Sequence, residues 1–309
     1  MSTVVKVFFL TLFFCATAAN AAVYPMPRNE DDIVGKMYTV KVESGDSSVT
    51  IRQRNEISYH ELLEANQNVN FNKLHIGQEI TIPSIYILPP YRNGIVINTA
   101  ELRLYYFTPD GRSVFTYPVG LGKQNWRTPT TITKVVNKVV DPTWYVPNSI
   151  RNYMFEKAGK LLPDFIPPGP DNPLGKYALY LAKRGYLIHG TTQPDSVGTY
   201  ASSGCMRMSA DAIETLYNYV PVGTPVYIIH HANKAGWQGN TLYLEAHTPI
   251  GDLREKHSAL NYISPEDAIK SATARYVATV DWNKVQAAVN IEDGIPKPVG
   301  KAAIYGLKR

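Results

Sequence analysis

A mainly β central domain, with a small α+β unit in front and a mixed extension behind, is the fold class that this 309-residue sequence predicts. Three observations carry it. Apolar residues alternate over short runs between residues 94 and 231, as on strands with one buried face. Tyrosine is frequent, at 21 residues, and 22 prolines and 21 glycines favour strands and turns over long helices. Helical patterns are few, and most lie outside the central region.

The elements follow in order. Val7–Ala19, "VFFLTLFFCATAA", is an apolar run after Lys6 and before Ala19-Asn20-Ala21. A basic start, a hydrophobic centre and an Ala-x-Ala site predict a secretory signal peptide over residues 1–21. The run is shorter than the ~20 apolar residues that span a bilayer; an uncleaved anchor is the alternative. Cys15 follows "LFF" rather than a lipoprotein-like Leu-small-small sequence, so lipidation is not expected. No later segment is long and apolar enough for a membrane helix, and none is expected in the mature chain.

Residues 22–35 read as a lead-in. Residues 36–83 read as a compact strand–helix–strand unit. "MYTVKV" alternates as a strand. "SYHELLEANQNV" is a helix capped by Ser58, with Leu62, Leu63 and Ala65 on one face. "HIGQEITIP" is a strand that Pro83 ends. Residues 84–93, with Pro89-Pro90, read as a stiff linker. Beyond it, "GIVIN" and "ELRLYYF" precede a Pro109-Asp110-Gly111 turn and "SVFTYPVGLG" follows, a hairpin signal. "TTITKVVNKVV" continues the strands. Residues 163–175 are rich in proline and glycine and predict an ordered or lid-like loop. "KYALYLA" and "GYLIHG" are two more strands. "SADAIETLYNYV" is a helix capped by Ser209, with Ile213, Leu216 and Tyr217 inward, and "GTPVYIIHH" closes the domain at residue 231. Residues 232–309 form an accessory extension: a strand in "NTLYLEAHTPI", a helix with Ser264 as cap and Pro265 at its first position, and a second helix in "DWNKVQAAVN".

The net charge of +5 is mild and its basic residues are scattered, so nucleic acid is not expected as a partner. A weakly basic exported protein suits an anionic envelope polymer.

The chemistry centres on "IHGTTQPDSVGTYASSGCMRM", residues 188–208. Without the signal segment, Cys205 has no cysteine left to pair with. A retained lone thiol in an oxidising compartment is either a buried small hydrophobe or a nucleophile. Nucleophilic attack needs the thiolate, and an imidazole is the usual proton acceptor. His189 ends a strand beside Gly190. Gly204 permits a tight turn before the thiol, and the Gly204 and Cys205 amides could line an oxyanion hole. An extended Ser203–Arg207 would set Ser203, Cys205 and Arg207 on one face, with Arg207 near the thiol or a substrate carboxylate. Ser203 offers a hydrogen bond at the site or is a plain turn hydroxyl. Thr128-Pro129 and Asn172-Pro173 read as loop architecture. His230-His231 end a strand and point to opposite faces, and no paired-cysteine or His-Glu-x-x-His spacing accompanies them.

"IHGT…SSGCMRM" resembles the signature of the L,D-transpeptidase catalytic domain, the YkuD-like family, with a β-sandwich fold. The resemblance extends over residues 94–231 through "GLGKQNWRTPT", "PGPDNPLGKYALYL" and "VPVGTPVYII". One position departs: the residue before Gly204 is often histidine in the family and is Ser203 here. "LLEAN" with "IGQEITIP" resembles a LysM carbohydrate-binding module, although "VESGDSSVTIRQRN" differs from the usual first half. Together these features resemble the ErfK/YbiS/YcfS/YnhG subgroup of Gram-negative periplasmic enzymes.

The resemblance implies that Cys205 attacks the L-centre of diaminopimelate in a peptidoglycan tetrapeptide stem. His189 serves as general base and then as acid for the departing D-alanine. The Gly190 carbonyl orients the imidazole, Gly204 contributes its amide, and Arg207 acts electrostatically. The acceptor is the amine of another stem, giving a 3-3 cross-link, or the C-terminal lysine of an outer-membrane lipoprotein. No cofactor and no metal are implied, and the LysM-like unit would bind glycan or serve only in packing. Two alternatives stay open: an L,D-carboxypeptidase using the same residues, and a non-catalytic wall-binding protein.

Overall fold

The computed structural model describes residues 22–28, 31–249, 260–274 and 276–307. The expected signal peptide lies outside the described residues. The front unit runs β1 (Ala22–Pro25), β2 (Ile33–Gly35), β3 (Tyr38–Lys41), α1 (Ser48–Arg54), α2 (Tyr59–Glu64), β4 (Glu79–Ile82) and β5 (Ile85–Ile87). The central domain contains β6 (Gly94–Asn98), β7 (Arg103–Phe107), β8 (Ser113–Pro118), β9 (Leu121–Gly122), β10 (Thr131–Val140), β11 (Trp144–Tyr145), α3 (Asn148–Ala158), β12 (Phe165–Ile166), β13 (Tyr177–Leu181), β14 (Leu187–His189), β15 (Tyr200–Ser202), β16 (Met206–Arg207), α4 (Ala210–Tyr219) and β17 (Pro225–Ile229). The extension adds β18 (Asn233–Gln238), β19 (Thr241–Ala246), α5 (Pro265–Ala272), β20 (Tyr276–Val280), α6 (Trp282–Ile291) and β21 (Lys297–Leu307).

Among the described residues the largest sheet has nine strands, in the order β1-β8-β7-β6-β17-β10-β13-β14-β16. The long β10 makes it a sandwich. Its first part, Thr131–Lys134, pairs with β17, and its second part, from Val135 on and with an irregularity between Val135 and Asn137, pairs with β13. Such a bulge bends and twists a strand, so the sheet turns back on itself there. Ile95, Leu104 and Tyr117 from one side then meet Leu179, Ile188 and Met206 from the other. Helix α4 covers this core with Ala212, Ile213 and Leu216. The predicted hairpin is β7–β8, with Phe107 opposite Val114.

The front unit is strand–helix–helix–strand rather than the expected strand–helix–strand. Helix α1 begins at a capping box in which Ser47 and Thr50 satisfy each other's amides, and α2 at a second formed by Ser58 and Glu61. Ile51, Leu62, Ile80 and Ile82 close its small core. Two segments read as lead-in and linker are packed strands. β1 extends the edge of the large sheet along β8, and β2 pairs with β5 through Ile33 and Ile87. Tyr86 and Leu88, inside the supposed linker, are buried. The main-chain nitrogen of Ala22 donates to Glu56 Oε2 at 3.1 Å.

The units share buried polar seams. Arg103 of β7, fully buried, bonds Glu61 of α2 through Nε at 2.6 Å and Nη2 at 2.8 Å, and lies 4.2 Å over the Tyr86 ring. Lys234 of β18 reaches Glu101 at 2.9 Å and Glu245 at 2.7 Å. His247 joins Glu245 at 2.8 Å to Glu64 of α2 at 2.7 Å. The extension therefore packs on both the central sheet and the front unit. No helix among the described residues is long and apolar enough to cross a membrane.

Candidate active site

β14 and β16 run parallel, with Ile188 opposite Met206 and His189 opposite Arg207. Because side chains alternate across a strand, Ile188 and Met206 enter the core while His189 and Arg207 share the other face. Met208 N–H donates to the His189 carbonyl at 2.8 Å and fixes the register. The chain before β16 is bent rather than extended, because Gly204 has φ +113°. A Cβ there would meet Tyr186 Cε1 at 3.2 Å and the Trp126 carbonyl at 3.4 Å. The expected alternation still holds in exposure: Ser203 is exposed, Cys205 and Arg207 are half-buried, and Gly204 and Met206 are buried.

His189, Cys205, Arg207 and Ser203 line one cavity of about 380 Å³, which also takes in Ser202 and Leu174. Its volume falls in the ~300–1,000 Å³ range of small-ligand sites. A flap forms one wall, with Trp144 and Tyr145 of β11 and Ile150 and Met154 of α3. Helix α3, absent from the sequence reading, buries none of its residues. Asn172 organises the proline-rich loop beside it. Its amide donates to the carbonyls of Pro142, Ile166 and Pro167 at 2.8, 3.1 and 3.1 Å, and its oxygen accepts from Leu174 N at 2.9 Å.

His189 is buried, and its Nδ1–H donates to the Gly190 carbonyl at 2.6 Å. A carbonyl can only accept, so this bond fixes the tautomer and leaves Nε2 with its lone pair. Burial is the main cause that lowers the His189 pKa to about 4; the Gly190 carbonyl raises it and the Arg207 charge lowers it further. Burial raises the Cys205 thiol above its usual value, against the Leu187 amide and the Arg207 charge. The resting pair is therefore a neutral imidazole and a neutral thiol. Sγ points its hydrogen toward the Gly185 carbonyl at 3.6 Å.

Ser202, which the sequence reading did not single out, braces the turn. Its Oγ accepts from Gly204 N at 3.0 Å and donates to the Cys205 carbonyl at 2.6 Å. The Gly204 amide, expected as an oxyanion donor, here donates to Ser202. Thr128 works alongside it, donating to the Gly204 carbonyl at 2.8 Å and accepting from Gly122 N at 3.0 Å. Gly122 lies too close to Trp126, Thr128 and Gly204 for any Cβ. Arg207 donates from Nη1 to Gln193 Oε1 at 3.2 Å.

Among the described residues, the one group of three potential metal ligands is Glu101, Glu245 and His247, within 4.8 Å of one another. The Lys234 ammonium lies between the two carboxylates and supplies their countercharge. His230 and His231 are buried; His230 Nδ1 lies 2.8 Å from Thr99 Oγ1.

A buried imidazole and a half-buried thiol thus line one cavity. The profile of the L,D-transpeptidase catalytic domain, YkuD, matches residues 92–228, and that of the LysM domain matches residues 40–83. The chain is 35% identical over 299 residues to the probable L,D-transpeptidase ErfK/SrfK of Escherichia coli K12, covering 94% of this chain and 95% of that protein. It is 35% identical over 303 residues to YcfS of the same strain, at 94% of each chain, and 32% identical over 302 residues to YbiS, at 96% of this chain and 97% of that one. Both of those are also named probable L,D-transpeptidases. The chain belongs to the L,D-transpeptidase family and carries a LysM domain in front of the catalytic one.

Proposed function

We propose that this protein transfers the acyl group of a peptidoglycan tetrapeptide stem through Cys205. The observation that carries the reading is the pair His189 and Cys205 on one cavity, with the imidazole held by the Gly190 carbonyl so that Nε2 can accept a proton. As the sulfur attacks the L-centre carbonyl of diaminopimelate, the thiol proton passes to Nε2. The C–N bond to D-alanine then breaks, and His189 returns the proton to the leaving amine. The acceptor amine opens the thioester and gives its own proton to the imidazole, which ends neutral after releasing it to the thiolate. Arg207 favours the anionic sulfur in transit. The acceptor is a second stem, giving a 3-3 cross-link, or the C-terminal lysine of an outer-membrane lipoprotein. The LysM unit would hold glycan while the chain acts in the periplasm, after export and leader removal behind Ala21.

The test is incubation of the full chain with purified tetrapeptide muropeptides and product mass analysis. Cross-linked dimer is expected, with loss of D-alanine. Trimmed stems alone would make the protein a carboxypeptidase. A carbapenem should add its mass to Cys205, Cys205→Ala should abolish the adduct, and His189→Ala should slow its formation about 100-fold. Undiminished product from Cys205→Ala would reject the nucleophile.

A further inference from the structure

Residues 190–204 carry the chain from His189 to Cys205, and the LysM domain grips them. Tyr59 N–H donates to the Gly198 carbonyl at 2.9 Å. Gly198 has φ +70°, and a Cβ on it would lie 2.7 Å from Ser58 Cα. Arg52 of α1 goes further. It is 3% exposed, donates from Nη2 to the Asp195 carbonyl at 2.6 Å, and bonds the Val197 carbonyl through Nη1. These carbonyls flank Ser196, at the end of the 3-10 turn Pro194–Ser196. A buried guanidinium is costly unless its donors are used, and its bonds to carbonyls are charge-assisted. Its two terminal nitrogens are spent on the catalytic domain's loop rather than on the LysM domain itself, and its buried Nε has no partner.

The turn contacts the site by two short routes. Gln193, just before it, accepts the Arg207 guanidinium at 3.2 Å. Ser196 presses its carbonyl on Gly120, leaving no room for a Cβ, and Gly120 exchanges two main-chain bonds of 2.8 Å with Arg207. Arg207 stands two residues beyond Cys205 on the cavity wall.

We propose that Arg52, a residue of the LysM domain, is a positioning residue for the Cys205 thiol: it clamps the turn Pro194–Ser196, the turn fixes Gln193, and Gln193 holds the Arg207 guanidinium at the cavity. The proposal rests on the reading of Cys205 as the nucleophile, and its test keeps the two apart. Arg207 on β16, Tyr180 on β13 and Tyr186 ahead of β14 interact with the thiol, and His189 on β14 lines the same cavity. Arg207 is the positive charge among them, so loosening it disfavours the thiolate.

The experiment measures the pH profile of Cys205 alkylation by iodoacetamide in the full chain, by adduct mass. In Arg52→Met the apparent thiol pKa is expected to rise by about one unit, with alkylation near neutral pH about tenfold slower. Gln193→Ala should reproduce the shift, and Arg52→Lys should recover most of the wild-type profile because an ammonium can serve both carbonyls. Acyl transfer by Arg52→Met should lose kcat with KM held within about twofold. Arg54→Ala, an exposed neighbour paired with Asp46 at 3.0 Å, should match the wild type. A folded Arg52→Met with the wild-type profile overturns the proposal. Gln193 is exposed, so if Arg52→Met does not fold, Gln193→Ala decides: a wild-type profile in it overturns the proposal equally. If the profiles shift as expected while Cys205→Ala still transfers acyl groups, the positioning role stands and the nucleophile reading falls.

Discussion

At the residue scale, the local motif located the thiol and the imidazole, and spatial contact supplied their supports. His189 and Cys205 stand out because few residue types can exchange a proton and attack a carbonyl. Ser202, Thr128 and Gly122 do not, since a serine, a threonine and a glycine occur everywhere. Their work depends on the pairing of β15 with β9, which brings Tyr200 beside Leu121. The motif drew attention to Ser203, yet its neighbour Ser202 carries the two bonds that shape the turn. Ser202→Ala strands a buried amide and the Cys205 carbonyl, each worth about 1–3 kcal/mol when unpaired. Carbapenem acylation of Cys205 is expected to slow about tenfold or more in Ser202→Ala and less than about threefold in Ser203→Ala. The reverse order, read by adduct mass against time, would return the role to Ser203.

At the element scale, legibility followed locality. The capped helices α2, α4 and α5 and the strands of the central domain carry their own signals: a serine at the cap and apolar residues at the matching period. The missed elements draw stability from distant partners. β1, β2 and β5 have three or four residues each, and their ladders join positions such as Ile33 and Ile87. No local window contains both. Helix α1 carries a weaker signal, since its capping box uses Thr50 where Glu or Gln is usual. Helix α3 carries only a short apolar face, with Ile150 and Met154 toward the cavity, and buries none of its residues; Gly159 at φ +61° marks its end. β12 lies within the ordered or lid-like loop expected over residues 163–175, and with β11 it forms a small two-stranded sheet in which Tyr145 and Phe165 are exposed at 75% and 54%.

At the scale of the whole molecule, the three units are joined by buried charge rather than by a flexible tether. The chain Glu101–Lys234–Glu245–His247–Glu64 runs from the central domain through the extension into the LysM domain, and His60 extends it at 3.1 Å from Glu64. None of this was legible, because it needs the tertiary placement of three segments. It has a pH signature. Glu64 and Glu245 raise the His247 pKa well above 6.5 despite burial, while Glu64 falls from 4.5 to about 2, burial opposing the pull of His247 and His60. A raised histidine contributes fully below its unfolded pKa and loses that contribution as pH climbs through its folded value; a depressed carboxylate contributes above its unfolded pKa and loses it as pH falls. Both act together between 4.5 and 6.5. Breaking such a buried pair costs about 3–5 kcal/mol. His247→Gln should therefore melt lower than the wild type near pH 6, and the gap should narrow as pH rises past neutrality. An equal gap near pH 6 and pH 9 in thermal unfolding would contradict the ion pair.

The bond from Ala22 to Glu56 gives the proposed leader cleavage a structural outcome. A leader cut behind Ala21 would turn a main-chain amide into a free ammonium 3.1 Å from that carboxylate. Glu56 is partly desolvated, and burial is the main reason its pKa is raised, so it gains from a full positive charge. Maturation would then fasten the first strand to the LysM domain, and the precursor would hold its sheet edge more loosely than the finished protein. A chain starting at Ala22 should melt higher at neutral pH than one with a single glycine added in front; identical melting would deny the ammonium any such part.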